Sequence, residues 1–280
     1  MRIAIVAFCG LVAVAAPAAA NTNAVDVTEL DAGYRAMYNL DFGAAHRAFN
    51  EWGRRQPDDP FGPASDAAAY LFSEFDRLKI LRSEFLTENS FFLSSHKLRP
   101  DPAIKASFEK ALGRSRSLSE TMLKRGQSPE RALFATVVCT ALRADYLALI
   151  EKENWQALTE IKDARSKAEA LVTQHPDLKD GYLSVGIENY LLSQKGAPVR
   201  LFLRMTGAQT DKEVGMQKLR IVAEQGRYFK PYAKILLAIA AVRDKNRGQA
   251  QRLMAELAGE FPGNDLFRDE ARKLSCSVNC

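Results

Sequence analysis

The chain has 280 residues, 47% of them hydrophobic and 26% charged, a balance that excludes global disorder. The formal net charge is +5, but the two signs are interspersed, as in Glu151-Lys-Glu153 and Asp211-Lys-Glu213, so no concentrated basic face for nucleic acid is expected. The length is near the upper limit for one compact core and well within reach of a repeat array.

The amino terminus differs from the rest. Arg2 is followed by an apolar run from Ile3 to Val14, then by the small residues Pro17-Ala-Ala-Ala20 and the polar Asn21-Thr-Asn. That is the plan of a secretory signal peptide cleaved near Ala20. The apolar run is shorter than the ~20 residues that span a bilayer. Phe8 sits where a lipobox before Cys9 needs a small residue, so lipidation is not expected. The reading is a signal peptide over 1–20 and a helical domain over 21–280, in the periplasm or secreted. No later segment reads as a membrane span.

Beyond the leader, apolar spacing predicts helices over 26–39, 42–55, 64–86, 102–125, 129–152, 155–174, 178–194, 198–206, 211–225, 231–244, 247–260 and 265–275. Caps mark several of them. Asp101-Pro102 and Ser128-Pro129 place a cap before a proline at the first helical position, and Thr210-Asp-Lys-Glu213 reads as a capping box. Gly126 and Gly226 stand at helix stops. A long irregular stretch, Thr87 to Pro100, interrupts the pattern. Pro198 to Met205 sets apolar residues between two arginines. Its apolar side is expected to dock on the other helices, with contact to a membrane surface as the alternative. The segment from Ile235 to Val242 is apolar all round, which predicts neighbours on both sides. Short loops make successive helices antiparallel. A dozen such helices without a strand predict an all-α fold, an α-solenoid of helical hairpins.

Gly33, Ala45, Phe49 and Pro57 lie at intervals of twelve, four and eight, and Leu237, Ala238, Ala250 and Pro262 repeat the small-residue and proline offsets. Tyr182, Val185 and Gly186 fit a first helix; Ala164 and Pro176 fit a second. This spacing resembles the tetratricopeptide (TPR) repeat. Tyr38-Asn-Leu-Asp-Phe42, Leu142-Arg-Ala-Asp-Tyr146, Gly186-Ile-Glu-Asn-Tyr190 and Asp211-Lys-Glu-Val-Gly215 resemble segments of exported bacterial TPR proteins. A more distant resemblance is to mitochondrial outer-membrane TPR proteins of inclusion clearance. Neither resemblance carries an established reaction.

Candidate chemistry is sparse. His46, His96 and His175 have no partner at ligand spacing, so no metal site is expected. Glu51, Glu74, Glu84 and Glu188 read as helix-surface carboxylates rather than acids of a sugar-cleaving enzyme. Cys139 lies in an apolar helix and reads as a buried thiol. Cys276 and Cys280 form a possible disulfide in an oxidising compartment. Arg143 and Tyr146 share a helix face, and Asn189 lies mid-helix further on. These three are the candidate partner-binding residues of a concave groove, or else part of a buried polar network. No catalytic residue and no cofactor is predicted. The leading expectation is a protein-interaction scaffold in the cell envelope that binds another protein or peptide. The alternative is a carrier of a small apolar ligand or lipid within the superhelix, and an enzyme ranks last.

Overall fold

Short loops between helical segments leave each helix the next one as its natural neighbour. The computed structural model describes residues 28–81, 98–194 and 196–276. Within them lie α1 (Thr28–Tyr38), α2 (Phe42–Arg55), α3 (Phe61–Arg77), α4 (Pro102–Lys124), α5 (Pro129–Tyr146) and α6 (Asn154–Gln174). These are followed by α7 (Tyr182–Ser193), α8 (Ala197–Met205), α9 (Lys212–Gln225), α10 (Lys230–Arg243), α11 (Arg247–Glu260) and α12 (Asp265–Cys276). The described residues contain no strand. Each helix packs on the next, except that α7 pairs with α9 and leaves the short α8 at the side. The hairpins are α1/α2, α3/α4, α5/α6, α7/α9 and α10/α11, with α12 closing the row.

The hairpins repeat in detail. Three second helices end on the residue before a proline, with φ/ψ of −128°/70° at Gln56, −129°/71° at His175 and −125°/71° at Phe261. The following Pro57, Pro176 and Pro262 disfavour the helical region for the residue before them. Twelve residues before each proline lies Ala45, Ala164 or Ala250, exposed by 0%, 2% and 0%. These small side chains let the paired backbones approach. Two hairpin turns are also alike: Leu40 and Lys245 take positive φ, and Asp41 and Asn246 then cap the second helix. Ala250→Leu is expected to overpack the α10/α11 pair and cost ~1–3 kcal/mol, read as a lower melting temperature. An unchanged melt would disprove close packing there.

Glycines mark the tightest approaches. A Cβ on Gly33 would lie 2.3 Å from the Phe49 ring, and one on Gly215 would lie 2.5 Å from the backbone nitrogen of Tyr190. The α7/α9 pair therefore makes backbone contact.

Several local expectations are corrected. The third helix ends at Arg77, not near 86, because Lys79 turns into the left-handed region and Ile80 N–H returns to Phe75 O. The cap of α9 is Asp211, which accepts from the N–H of Glu213 and Val214; Thr210 Oγ1 instead receives Arg204 Nε. Ser128 makes no side-chain cap bond. Asp101 caps α4 as predicted. The stretch Pro129–Glu151, which ends in a π-helical turn, is long and apolar enough to cross a membrane by length and composition, contrary to the sequence reading. Most of that stretch is buried inside the fold. Residues 1–27, most of 87–100, Glu84 and His96 lie outside the described residues, as do Cys280 and the side chain of Cys276.

The row of hairpins closes on itself. Asp31 of α1 pairs with Arg227 before α10 at 2.8 Å, and Tyr38 Oη donates to Tyr228 O at 3.1 Å. Asn264 Nδ2 donates to Tyr38 O at 2.8 Å, joining the loop before α12 to the end of α1. Between these links Tyr34, Phe61, Phe134, Tyr228 and Phe229 form one aromatic cluster, with neighbouring rings 4.9–6.1 Å apart. That cluster occupies the inner face of the array.

Candidate functional site

The loop Arg227–Phe229 carries no regular structure, so its backbone donors need partners. One buried side chain supplies them. The Asp180 carboxylate accepts from the N–H of Arg227, Tyr228 and Phe229 at 3.0–3.1 Å. Gly226 makes room, since a Cβ there would lie 2.7 Å from Asp180 Oδ1. Burial pushes the Asp180 carboxyl up, and the three N–H groups and Arg227 pull it back without reversing the direction. Asp180 thus pins Tyr228 and Phe229 inside the ring.

Next to this plug lies an apolar cleft that encloses a cavity of about 80 Å³ and opens to solvent. Its walls are Met37 and Tyr38 of α1, Phe72 and Phe75 of α3, and Tyr232, Ile235, Leu236 and Ile239 of α10, with Leu149, Met254 and Phe267 beside them. Among the described residues, polar side chains line it at Tyr38, Tyr232, Asn264 and Glu270 only. Glu270 pairs with Lys273 at 2.9 Å. The all-round apolar run in α10 has neighbours on both sides, α9 and α11, and Ile235, Leu236 and Ile239 also line this chamber.

A second chamber, with a cavity volume of about 40 Å³, shares Met37, Tyr38, Phe72 and Tyr232 with the first and continues between α5 and α7. Asp145 lies in its wall. Asp145 is half-buried and lines this space. Tyr232 Oη points to Asp145 Oδ2 at 3.5 Å, a long and weak hydrogen bond. Burial raises the Asp145 carboxyl to about 7, and the Tyr232 hydroxyl opposes the rise only in part. At neutral pH this group is therefore a donor in much of the population. Sequence reading passes over it because the segment Leu142-Arg-Ala-Asp-Tyr146, for all its resemblance, gives this Asp no role.

The predicted partner-binding residues do not meet. Arg143 pairs with Glu160 at 3.1 Å and Glu109 at 3.5 Å, on the side of α5 that faces α4 and α6. Tyr146 is buried and stacks on Phe108 with ring centroids 5.1 Å apart. Asn189 is buried elsewhere: its Nδ2 donates to Val185 O and Gln209 Oε1, and its Oδ1 accepts from Asp211 N. It holds the loop between α8 and α9.

Two carboxylates read as surface groups are buried. Glu74 is 1% exposed and Glu188 0%. Glu74 takes Arg77 and the backbone N–H of Asp101; Glu188 takes Arg165 and the backbone N–H of Gln209. Both are structural. Glu51 pairs with Arg54. His46 bridges helices, bonding Asp66 at 2.6 Å, and His175 ends α6. Cys139 is buried, and burial pushes its thiol up to about 11. No group of metal-ligating side chains occurs among the described residues.

No protein-family model matches the chain, and neither does any curated protein or solved structure.

Proposed function

We propose that this protein carries a small, mostly apolar ligand inside the closed array. The observation behind this reading is the apolar chamber on the inner side of α1, α3 and α10. Ligand pockets have mostly apolar walls and a few convergent polar groups. Here those groups are Tyr38, Tyr232, Asn264 and Glu270, with Asp145 of the second chamber behind Tyr232. The inner face that a peptide-binding scaffold would offer is filled by Tyr34, Tyr228 and Phe229, which favours the carrier reading over the scaffold. The matching ends at Gln56, His175 and Phe261 support a TPR-like kinship, and the leader over 1–20 supports work outside the cytoplasm.

Native mass spectrometry of the exported protein is expected to show a bound lipid or metabolite on a chain that starts near Asn21. Delipidated protein should take up cis-parinaric acid. Leu236→Trp, which fills the chamber, should abolish that uptake while the fold persists by circular dichroism. Uptake equal to wild type in the filled variant would remove the chamber as the site.

A further inference from the structure

Six large apolar side chains are exposed among the described residues, and five of them belong to one region: Trp155 73%, Val199 49%, Leu201 63%, Phe202 51% and Met205 80%. Four lie on α8. Leu203 is its only buried residue, packed with Leu192, Ala208 and Leu158. Pro198, Leu201, Phe202 and Met205 recur at i, i+3, i+4 and i+7, so they form one ridge turned away from Leu203. The expected docking of this apolar side onto the array is not what the fold does.

The helix is nonetheless anchored. Lys162 Nζ donates to Thr206 O, and Arg165 Nη2 to Gly207 O at 3.4 Å, so two cations of α6 hold its carboxy-terminal end. Leu158 and Lys162 face α8, and Trp155 continues their stripe one turn earlier. Trp155 therefore stands on the face of α6 that receives α8, while the ridge itself belongs to α8.

The segment that carries α8 has charge of one sign. From Gly196 to Thr210 the sequence has no acidic residue, and it has two cations, Arg200 and Arg204. Arg204 bonds the neutral hydroxyl of Thr210, so its charge is not cancelled by a carboxylate. The acids of α6 beside the ridge are already paired, Glu160 with Arg143, Asp163 with Lys167 and Glu169 with Arg165. Aliphatic and aromatic side chains beside arginines match the boundary of a bilayer, where apolar groups enter the acyl region and cations meet phosphate.

We propose that the ridge of α8 docks this protein on an anionic lipid bilayer, a role independent of the chamber. The probe is vesicles of equal parts phosphatidylglycerol and phosphatidylcholine, floated with the full exported chain. The protein should float with them, less with phosphatidylcholine alone, and less at high salt. Trp155 is a built-in reporter, since the other tryptophan, Trp52, is 2% exposed. Emission should shift to the blue on binding, and Trp155→Phe should remove that shift. Leu201→Asp combined with Phe202→Asp should lower partitioning by about tenfold or more, with an unchanged melt because both side chains are exposed. Arg204→Gln should lower it about fivefold on anionic vesicles only. Failure to float, equal binding to both vesicle types, or normal binding by the double variant would each overturn the proposal. So would self-association that the double variant abolishes without any vesicle binding, which would assign the ridge to a second copy.

Discussion

Asp180→Ala is expected to destabilise the protein by about 3–5 kcal/mol, the largest effect of any single substitution argued for this fold. The carboxylate is 8% exposed and serves three consecutive backbone N–H groups, of which those of Tyr228 and Phe229 are buried. Alanine leaves all three without an acceptor. One effect opposes the loss, because removing a buried carboxylate also removes its desolvation cost. Three orphaned donors outweigh it. The consequence is not only local. The pinned loop places Tyr228 and Phe229 against Tyr34, Phe61 and Phe134, and Arg227 against Asp31. The ends of the array should therefore separate, with loss of near-ultraviolet circular dichroism from the aromatic cluster before the helical signal falls. Asp180→Asn keeps one acceptor oxygen and should lie between the two. A melt of Asp180→Ala within two or three degrees of wild type would refute the pin.

Legibility in the sequence follows the range of each interaction. The helix over 247–260 is readable to its ends, because a cap at Asn246 and a proline at 262 are local signals. The spacing of Ala45, Ala164 and Ala250 before their prolines is readable for the same reason, and burial agrees with it. Closure is not readable. Asp31 and Arg227 are 196 positions apart, and neither carries a pattern that names the other. Glu188 and Asn189 show the same limit. A polar residue in mid-helix looks like surface until its partners, Arg165 and Gln209, come from other elements. The chamber leaves no trace of its own, since the apolar run from Ile235 to Val242 is what two neighbouring helices, α9 and α11, require. Asp145 lies in a recognisable segment, Leu142–Tyr146, but its character comes from what surrounds it in space.

That character yields the second large effect. Asp145→Asn is expected to stabilise the protein in a pH-dependent way. The carboxyl titrates at about 7 in the fold, raised by burial from the usual carboxylate range below 4. A raised carboxylate pKa means that the folded state holds its proton after the unfolded chain has released it. Its contribution is therefore full at low pH and is lost as pH rises through 7. Ionising this carboxyl inside the fold rather than in the unfolded chain costs at most about 4 kcal/mol. Asparagine has nearly the same shape, its oxygen still accepts from the Tyr232 hydroxyl, and it never ionises. The variant and wild type should melt together near pH 4, with a gap that widens to roughly 5–10 °C by pH 8. Taking the difference cancels the titration of Asp180 and Glu188, whose carboxyls are raised in both proteins. The same neutral carboxyl offers a hydrogen bond to the polar end of a ligand in the chamber, so wild-type uptake of cis-parinaric acid should weaken above pH 7. In the asparagine variant, which donates through its amide at every pH, uptake should stay level. A melting gap that does not change between pH 4 and pH 8 would show that Asp145 is ionised throughout and that its surroundings are wetter than the fold implies.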